Sequence, residues 1–433
     1  MGQTQGQKQP NPKASPSGRR SLANYTGLGR SAVESQVRMR IDNLPPGEDH
    51  PNIKKFDESQ VLTWAGKWLA ATYHTDIESL FVSADKKHSF DPYPATGEQG
   101  HYKLDSLLAA DGSIRIAIAG DWGTGTDEAQ AIADNMMLVN PELTIHLGDV
   151  YYVGEVSEVG ENCLGQDTPL YKGVSWPKGS KGSLALNGNH EMYSGGHGYF
   201  EEFLPTLGIP SSQDKQQLRS YFCLETPVWR ILAIDTGYNA DTITGNCKLD
   251  GNLIKWLQTV IDPVKNKKPT ILLSHHQWFS SFGDGDYDTP ASQMLQFLKK
   301  QEIVWIWGHE HRLAIYYKYK DPDGLTAYAR CIGHGGMPVE TGDPNGTTQL
   351  VEYYDWNPAR IRKLDDGTPA GLNGYMQMVI QRSTVTLEYL DINKTSLLKE
   401  SFTPGGAGSW DGTLVRTVVS DPGILRNITY KKG

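Results

Sequence analysis

The stretch IRIAIAGDWG (114–123) decides how this chain is read. Six residues of largely apolar, β-branched character run straight into Gly120 and Asp121. That is the signature of a buried strand ending in a tight turn that presents a carboxylate. The same grammar recurs four times downstream. LTIHL (143–147) runs into Gly148-Asp149-Val150-Tyr151-Tyr152, and SLALN (183–187) into Gly188-Asn189-His190-Glu191. TILLS (270–274) runs into His275-His276, and IVWIW (303–307) into Gly308-His309-Glu310-His311. In open α/β sheets, ligands bind in the crevice outside the carboxyl ends of the strands, so five such ends predict one shared site.

Outward from these strands the pattern alternates. DEAQAIADNMMLV (127–139), LIKWLQTVI (253–261) and ASQMLQFLKK (291–300) carry helical spacing, and VWRILAI (228–234) reads as another strand. Strands punctuated by helices predict an α/β domain, and near-continuous apolar strands predict a sheet covered on both faces. After about Lys318 the chain turns Gly- and Tyr-rich. YMQMVIQ (375–381), STVTLEYL (383–390) and SLLKESF (396–402) then read as consecutive antiparallel strands.

Seven donors are delivered to the predicted crevice: the carboxylates Asp121 and Asp149, the phenol of Tyr152, the amide of Asn189, and the imidazoles His275, His309 and His311. Mixed carboxylate and imidazole donors suit Zn, Fe and Mn better than Ca or Mg. Seven exceed what one transition ion takes. With one carboxylate shared, two ions fit, and metal pairs about 3.5–4 Å apart serve in-line phosphoryl displacement. Taken singly, each motif is more often an ordinary turn, a core pair or a surface loop. Five in order, each at a strand end, point to a site.

The rest of the chain narrows the class. It has 433 residues, with 38% hydrophobic and 21% charged residues and a formal net charge of −9. That charge argues against nucleic acid as a partner, because Lys and Arg must neutralise backbone phosphates. It leaves small anionic substrates open, since bound cations supply local positive charge. The four cysteines (Cys163, Cys223, Cys247, Cys331) form no CxxC pair, which argues against a zinc knuckle. Buried free thiols are the expected state, with a Cys223–Cys247 bridge as the alternative. No apolar run reaches membrane-spanning length, and the polar N-terminus shows no secretory h-region, so a cytoplasmic protein without membrane partners is expected. Residues 1–30 read as a disordered tail, and residues 31–112 as an extension packing on the core through a helix over 58–73. Residues 113–403 are expected to form the catalytic domain and 404–433 a C-terminal tail.

The order GD…GDxxY…GNHE…H…GHxH, carried between about Ile114 and Tyr319, resembles the calcineurin-like metallophosphoesterase superfamily. Within it, the chain is most similar to the purple acid phosphatase type. Most of the superfamily carries D-x-H at the first motif; here Gly123 stands in place of that histidine. Tyr152 stands three residues after Asp149, where purple acid phosphatases carry an iron-binding tyrosine. The resemblance implies a four-layer α/β/β/α sandwich of two mixed β-sheets, with the strands at 375–402 completing the second sheet. It implies Asp121, Tyr152 and His311 on a first metal, Fe(III), and Asn189, His275 and His309 on a second, Zn, Mn or Fe. Asp149 would bridge them. His190 would contact the substrate phosphate or protonate the leaving oxygen.

The expected function is a dinuclear metal-dependent phosphoester hydrolase, acid-phosphatase-like, acting on a small-molecule phosphomonoester through a metal-activated hydroxide, with His190 and Asp149 as catalytic residues. The sequence departs from the family at its fourth motif, which is His275-His276-Gln277 where H-x-P is common. Residues 277–290 also lack the further phosphate-contacting histidine and carry Asp284, Asp286 and Asp288 instead. His276, His197 and His334 are the substitutes to weigh, each with a structural role as its first reading. The acidic loop leaves a phosphodiesterase or nucleotide hydrolase as the alternative. A protein Ser/Thr phosphatase shares GNHE but keeps the D-x-H histidine, and an inactive scaffold that binds a protein partner would have lost metal ligands.

Overall fold

The structure is a computed structural model, and it describes residues 99–428 apart from 170–171, 242–245, 283–284, 345–349, 364–368 and 407–408. The expected tail over 1–30, the helix over 58–73, most of the 31–112 extension and Asp284 lie outside the described residues.

Alternation within single strands builds the layers. In β2 (Ser113–Ala119), Ile114, Ile116 and Ile118 point into the apolar layer between two sheets. Ala117 and Ala119 point the other way, where their small side chains let α1 (Asp127–Leu138) approach with Ala129 and Ile132. Helix α1 starts at Thr126, whose hydroxyl accepts from the Ala129 amide. β2 lies parallel to β3 (Leu143–His146), and β3 to β4 (Gly182–Ala185). On its other side, β2 pairs antiparallel with β12 (Gly374–Gln381), which continues into the meander β13 (Thr384–Asp391), β14 (Ser396–Pro404) and β15 (Leu414–Ser420). These seven strands are one sheet. The strands expected at 375–402 thus join the sheet of the first three motifs.

The second sheet has nine strands. Its parallel centre is β6 (Arg230–Ala233), β7 (Thr270–Ser274), β8 (Glu302–Trp307) and β10 (Thr326–Ile332). β1 (His101–Lys103) and β5 (Phe222–Glu225) flank it on one side. β9 (Leu313–Lys320), β11 (Val351–Tyr354) and β16 (Arg426–Asn427) flank it on the other. Its inner face meets the first sheet through Ile271, Leu273, Val304 and Ile306. Its outer face packs Leu272, Trp305 and Trp307 against Trp256 and Leu257 of the helical stretch Gly251–Ile261 and Met294 of the helix Asp288–Leu298. The result is the expected α/β/β/α sandwich of two mixed sheets. Within the span expected to be a tail, Leu414–Ser420 and Arg426–Asn427 form β15 and β16. The four cysteines are free and buried, without a Cys223–Cys247 bridge.

One buried ionic network ties the sheets together. Arg330 of β10 donates to Glu400 of β14 through Nε at 2.5 Å and Nη2 at 2.8 Å, with both side chains 0% exposed. Tyr389 Oη donates to the same carboxylate at 2.8 Å, and Arg416 of β15 bonds both Glu400 and Glu352. Burial pushes the Glu400 carboxyl up, but the Arg330 and Arg416 guanidinium groups outweigh it and hold it at about 2. Removing one partner of a buried pair strands the other, so Glu400→Gln should lower stability by about 3–5 kcal/mol in denaturant unfolding. Because the folded-state value is depressed, the stabilisation is complete above the ordinary carboxylate range and is lost as pH falls through about 2. Thermal unfolding of the variant should therefore lose much of the wild-type acid dependence.

Candidate metal centre

The two sheets place the carboxyl ends of β2, β3 and β4 beside those of β7 and β8. Glycines allow the approach: a Cβ on Gly120 would sit 3.2 Å from the Cα of Gly308, so the first and last motifs abut. A Cβ on Gly188 would sit 2.1 Å from Asp149 Oδ1. Three of the predicted donors hold positive φ: Asp121 at 57°, Asp149 at 74° and His309 at 66°. Such backbone is sparsely populated for non-glycine residues and clusters at functional sites, where surrounding structure over-determines it.

The Asp149 carboxylate organises the rest. Its Oδ1 lies 3.2 Å from His275 Nε2 and accepts from the His190 amide at 3.1 Å. The same His275 Nε2 is 3.1 Å from Asn189 Oδ1 and 3.3 Å from His309 Nδ1. Oδ2 of Asp149 faces the opposite way and accepts from a tyrosine phenol at 3.1 Å. That phenol also meets Asp121 Oδ1 at 3.0 Å and His311 Nε2 at 3.0 Å. One group is therefore Asn189, His275 and His309, the other Asp121, the tyrosine and His311, and Asp149 stands between them.

The phenol belongs to Tyr151, and this corrects the expectation of Tyr152. Gly123 and Val150 form a parallel bridge, the Tyr151 amide donates to Gly123 O at 2.9 Å, and Asn162 Nδ2 donates to Tyr151 O at 2.7 Å. These bonds turn the Tyr151 ring to the carboxylates. Tyr152 contributes its carbonyl oxygen, 2.6 Å from His190 Nδ1. The bridge also accounts for the missing D-x-H histidine. A Cβ at Gly123 would meet Val150 Cα at 2.9 Å and Asp149 O at 2.8 Å, so an imidazole has no room there.

The imidazoles are oriented from behind. His275 Nδ1 donates to Leu147 O at 3.0 Å, leaving Nε2 to the cluster, and Tyr287 Oη lies 3.4 Å from His309 Nε2. Such outer partners fix tautomer and ring direction in metal sites. Asn189 Nδ2 donates to Tyr193 Oη at 2.8 Å, which turns its carbonyl oxygen toward His275. Glu191 Oε2 accepts from the amides of Asp149 and Gly188, clamping two loops together. Burial raises its carboxyl to about 8, with Asp149 adding to the effect. Tyr151, Tyr193, Tyr287 and Glu191 were missed by sequence reasoning. Only Glu191 had a local signal, as the last residue of GNHE.

The electrostatics fit a cationic occupant. Asp121 and Asp149 are 0% and 1% exposed, and burying ionised carboxylates without compensating charge is expensive. Burial, with Asp149 adding to it, pushes the Asp121 carboxyl well above its usual range, despite His275. Burial also raises Asp149, but His275 and His190 outweigh it and hold that carboxyl well below the usual range. His309 and His311 are pushed down by burial, His311 to about 4, so both offer neutral lone pairs. His275 Nε2 meanwhile faces three lone-pair atoms with at most one proton. Metal ions satisfy all of these atoms together, and the donor types suit Zn, Fe or Mn.

Of the other histidines, His197 is exposed and pairs with Glu201 at 3.1 Å. His334 is buried beside the start of β12, where a Cβ on Gly374 would lie 2.6 Å from its Nε2. His276 is buried against the cluster, its ring centroid 4.5 Å from that of His309. Asp286 folds back to accept from the Ser280 amide at 3.0 Å.

Residues 114–313 match the family model described as calcineurin-like phosphoesterase. The match covers less than half of the chain, so it is this segment that is similar to the family. No curated protein matches the sequence. Among solved structures, the chain is similar to purple acid phosphatase PPD1 of yellow lupin (Lupinus luteus) at 15% identity and a TM-score of 0.45, covering 72% of this chain and 55% of that one. It thus spans little more than half the length of the lupin protein. GAP50, the anchor in the inner membrane complex of Plasmodium, is similar at 13% identity, covering 69% and 91%, with a TM-score of 0.44. A dimetal phosphatase from Danio rerio is similar at 10% identity, covering 65% and 99%, with a TM-score of 0.37. Among the described residues, no helix is long and apolar enough to cross a membrane.

A methyl group at Gly188 would displace the Asp149 carboxylate. Gly188→Ala should therefore bind less than one metal equivalent per chain by elemental analysis, with an unchanged far-ultraviolet circular dichroism spectrum. Two retained equivalents would contradict the placement of Asp149.

Proposed function

We propose that the chain is a dinuclear metal-dependent phosphoester hydrolase of the acid-phosphatase type, acting on small phosphomonoesters. The observation that carries this reading is the division of Asp149: Oδ1 toward Asn189, His275 and His309, Oδ2 toward Tyr151, Asp121 and His311. A single carboxylate between two donor groups is what a bridged pair of ions needs. When bound, two metal ions make water nucleophilic near neutral pH and neutralise phosphate oxygens. The residues do the rest. Asp121, Tyr151 and His311 hold the first position, and the Tyr151 phenol favours a hard trivalent ion there, Fe(III). Asn189, His275 and His309 hold the second, for Zn, Mn or Fe.

His190 supplies the proton. Its Nδ1 donates to Tyr152 O, which leaves Nε2 directed to the cluster, 3.7 Å from Asp149 Oδ2. The ring packs against both Tyr151 and Tyr193, with centroids at 4.4 Å and 5.0 Å, which restricts its movement. With Nε2 so directed, His190 would be the group placed to give a proton to a leaving alkoxide.

His190→Asn should lower kcat by about 10²–10⁴ on an alkyl monoester and by less on a nitrophenyl ester, whose leaving group needs no proton. Turnover of nitrophenyl phosphate above that of the bis-nitrophenyl diester supports the monoesterase reading; the reverse preference overturns it in favour of a diesterase. The iron-loaded oxidised protein should be coloured through phenolate-to-iron charge transfer. Tyr151→Phe should abolish the visible band while Tyr152→Phe retains it, and the opposite result would return the ligand role to Tyr152.

A further inference from the structure

We propose that His276 is a third imidazole ligand of the second metal position, a role that rests on the two-metal reading above. His275, His276 and His309 each offer a ring nitrogen, and the three lie within 4.8 Å of one another. Nitrogens about 2.1 Å from a common ion stand at most about 4 Å apart, so the present spread closes with shifts under an ångström. The rings already pack together, His276 edge-on to His275 at 88° and tilted by 44° to His309. His276 lies 4.8 Å from His275 and 4.5 Å from His309, centroid to centroid.

The residue is also held as ligands are held. Ser274 Oγ donates to the His276 carbonyl at 2.8 Å, and the His276 amide donates to Thr236 Oγ1 at 3.0 Å. The same Thr236 hydroxyl lies 3.0 Å from His276 Nδ1. With Nδ1 engaged by Thr236, the coordinating atom is Nε2. His276 is 3% exposed and Thr236 1%, so neither serves the surface. A pure core role does not require an imidazole whose ring faces two other imidazoles.

The consequence is selectivity. Asp149, Asn189 and three imidazoles form a nitrogen-rich set, which favours Zn, Ni or Fe(II) over Mn and Mg. Metal-free protein loaded with Zn(II), Mn(II) or Co(II) tests this without turnover. The wild type should take two equivalents, the second tighter for Zn than for Mn. His276→Gln should weaken the second Zn equivalent by more than the roughly 10–100-fold that outer partners of ligands carry, narrow the Zn-over-Mn preference and shift the visible band of the second Co(II). Thr236→Val, which keeps the imidazole and removes its Nδ1 partner, should move the same quantities by about tenfold. His276→Gln with unchanged second-site affinity and Co(II) spectrum would overturn the ligand role while leaving the two-metal reading intact. A wild type that takes no second equivalent would overturn both.

Discussion

Two carboxylates buried within reach of one phenol are the constraint on which this site depends. Asp121 and Asp149 both contact Tyr151 Oη, and both are removed from water. Left alone they repel: Asp149 adds to the burial that pushes the Asp121 carboxyl well above its usual range, while His275 and His190 outweigh burial and hold Asp149 well below its own. The fold holds them there regardless. Asp121 Oδ2 accepts from the His309 amide at 2.8 Å, and the Gly335, Gly336 and Met337 amides bond the Gly120 and Asp121 carbonyls. A backbone that holds two carboxylates this close would release electrostatic work on binding cations, which would link folding to metal affinity.

The two-sheet architecture makes that arrangement possible. One sheet delivers the oxygen donors and the asparagine, the other the imidazoles His275, His309 and His311, and neither could build the cluster alone. The relative position of the sheets therefore matters to the site at the ångström level. The Arg330–Glu400 pair fixes it from within the sandwich, and Arg416 extends the lock to the edge strand. A buried ion pair is weak evidence for extra stability, but its directional bonds specify one register between two otherwise greasy faces.

Much of this was legible in the sequence because each strand could be read locally. Apolar runs ending in glycine and a donor mark β2, β3, β4, β7 and β8 without reference to anything distant. Six of the seven predicted donors come together for that reason. Tyr152 does not, because which of two adjacent tyrosines turns inward is decided by the Gly123–Val150 bridge, a contact between segments 27 positions apart. β15 was hidden for a different reason. Its burial does not alternate, since Val415 and Val419 are both exposed at 54%, and an edge strand leaves no period-2 trace. The helix Val156–Cys163 carries a polar sequence, and its capping box uses Glu155 and Glu158 where a Ser or Thr is the usual signal.

The central claim is that Asp149 joins two cations, and anomalous diffraction from crystals of metal-replete protein reads it directly. The account predicts two peaks about 3.5–4 Å apart, one beside Tyr151 and His311, the other beside Asn189 and His275, with a different Asp149 oxygen directed to each. A single peak, or two peaks with Asp149 contacting only one, would contradict it.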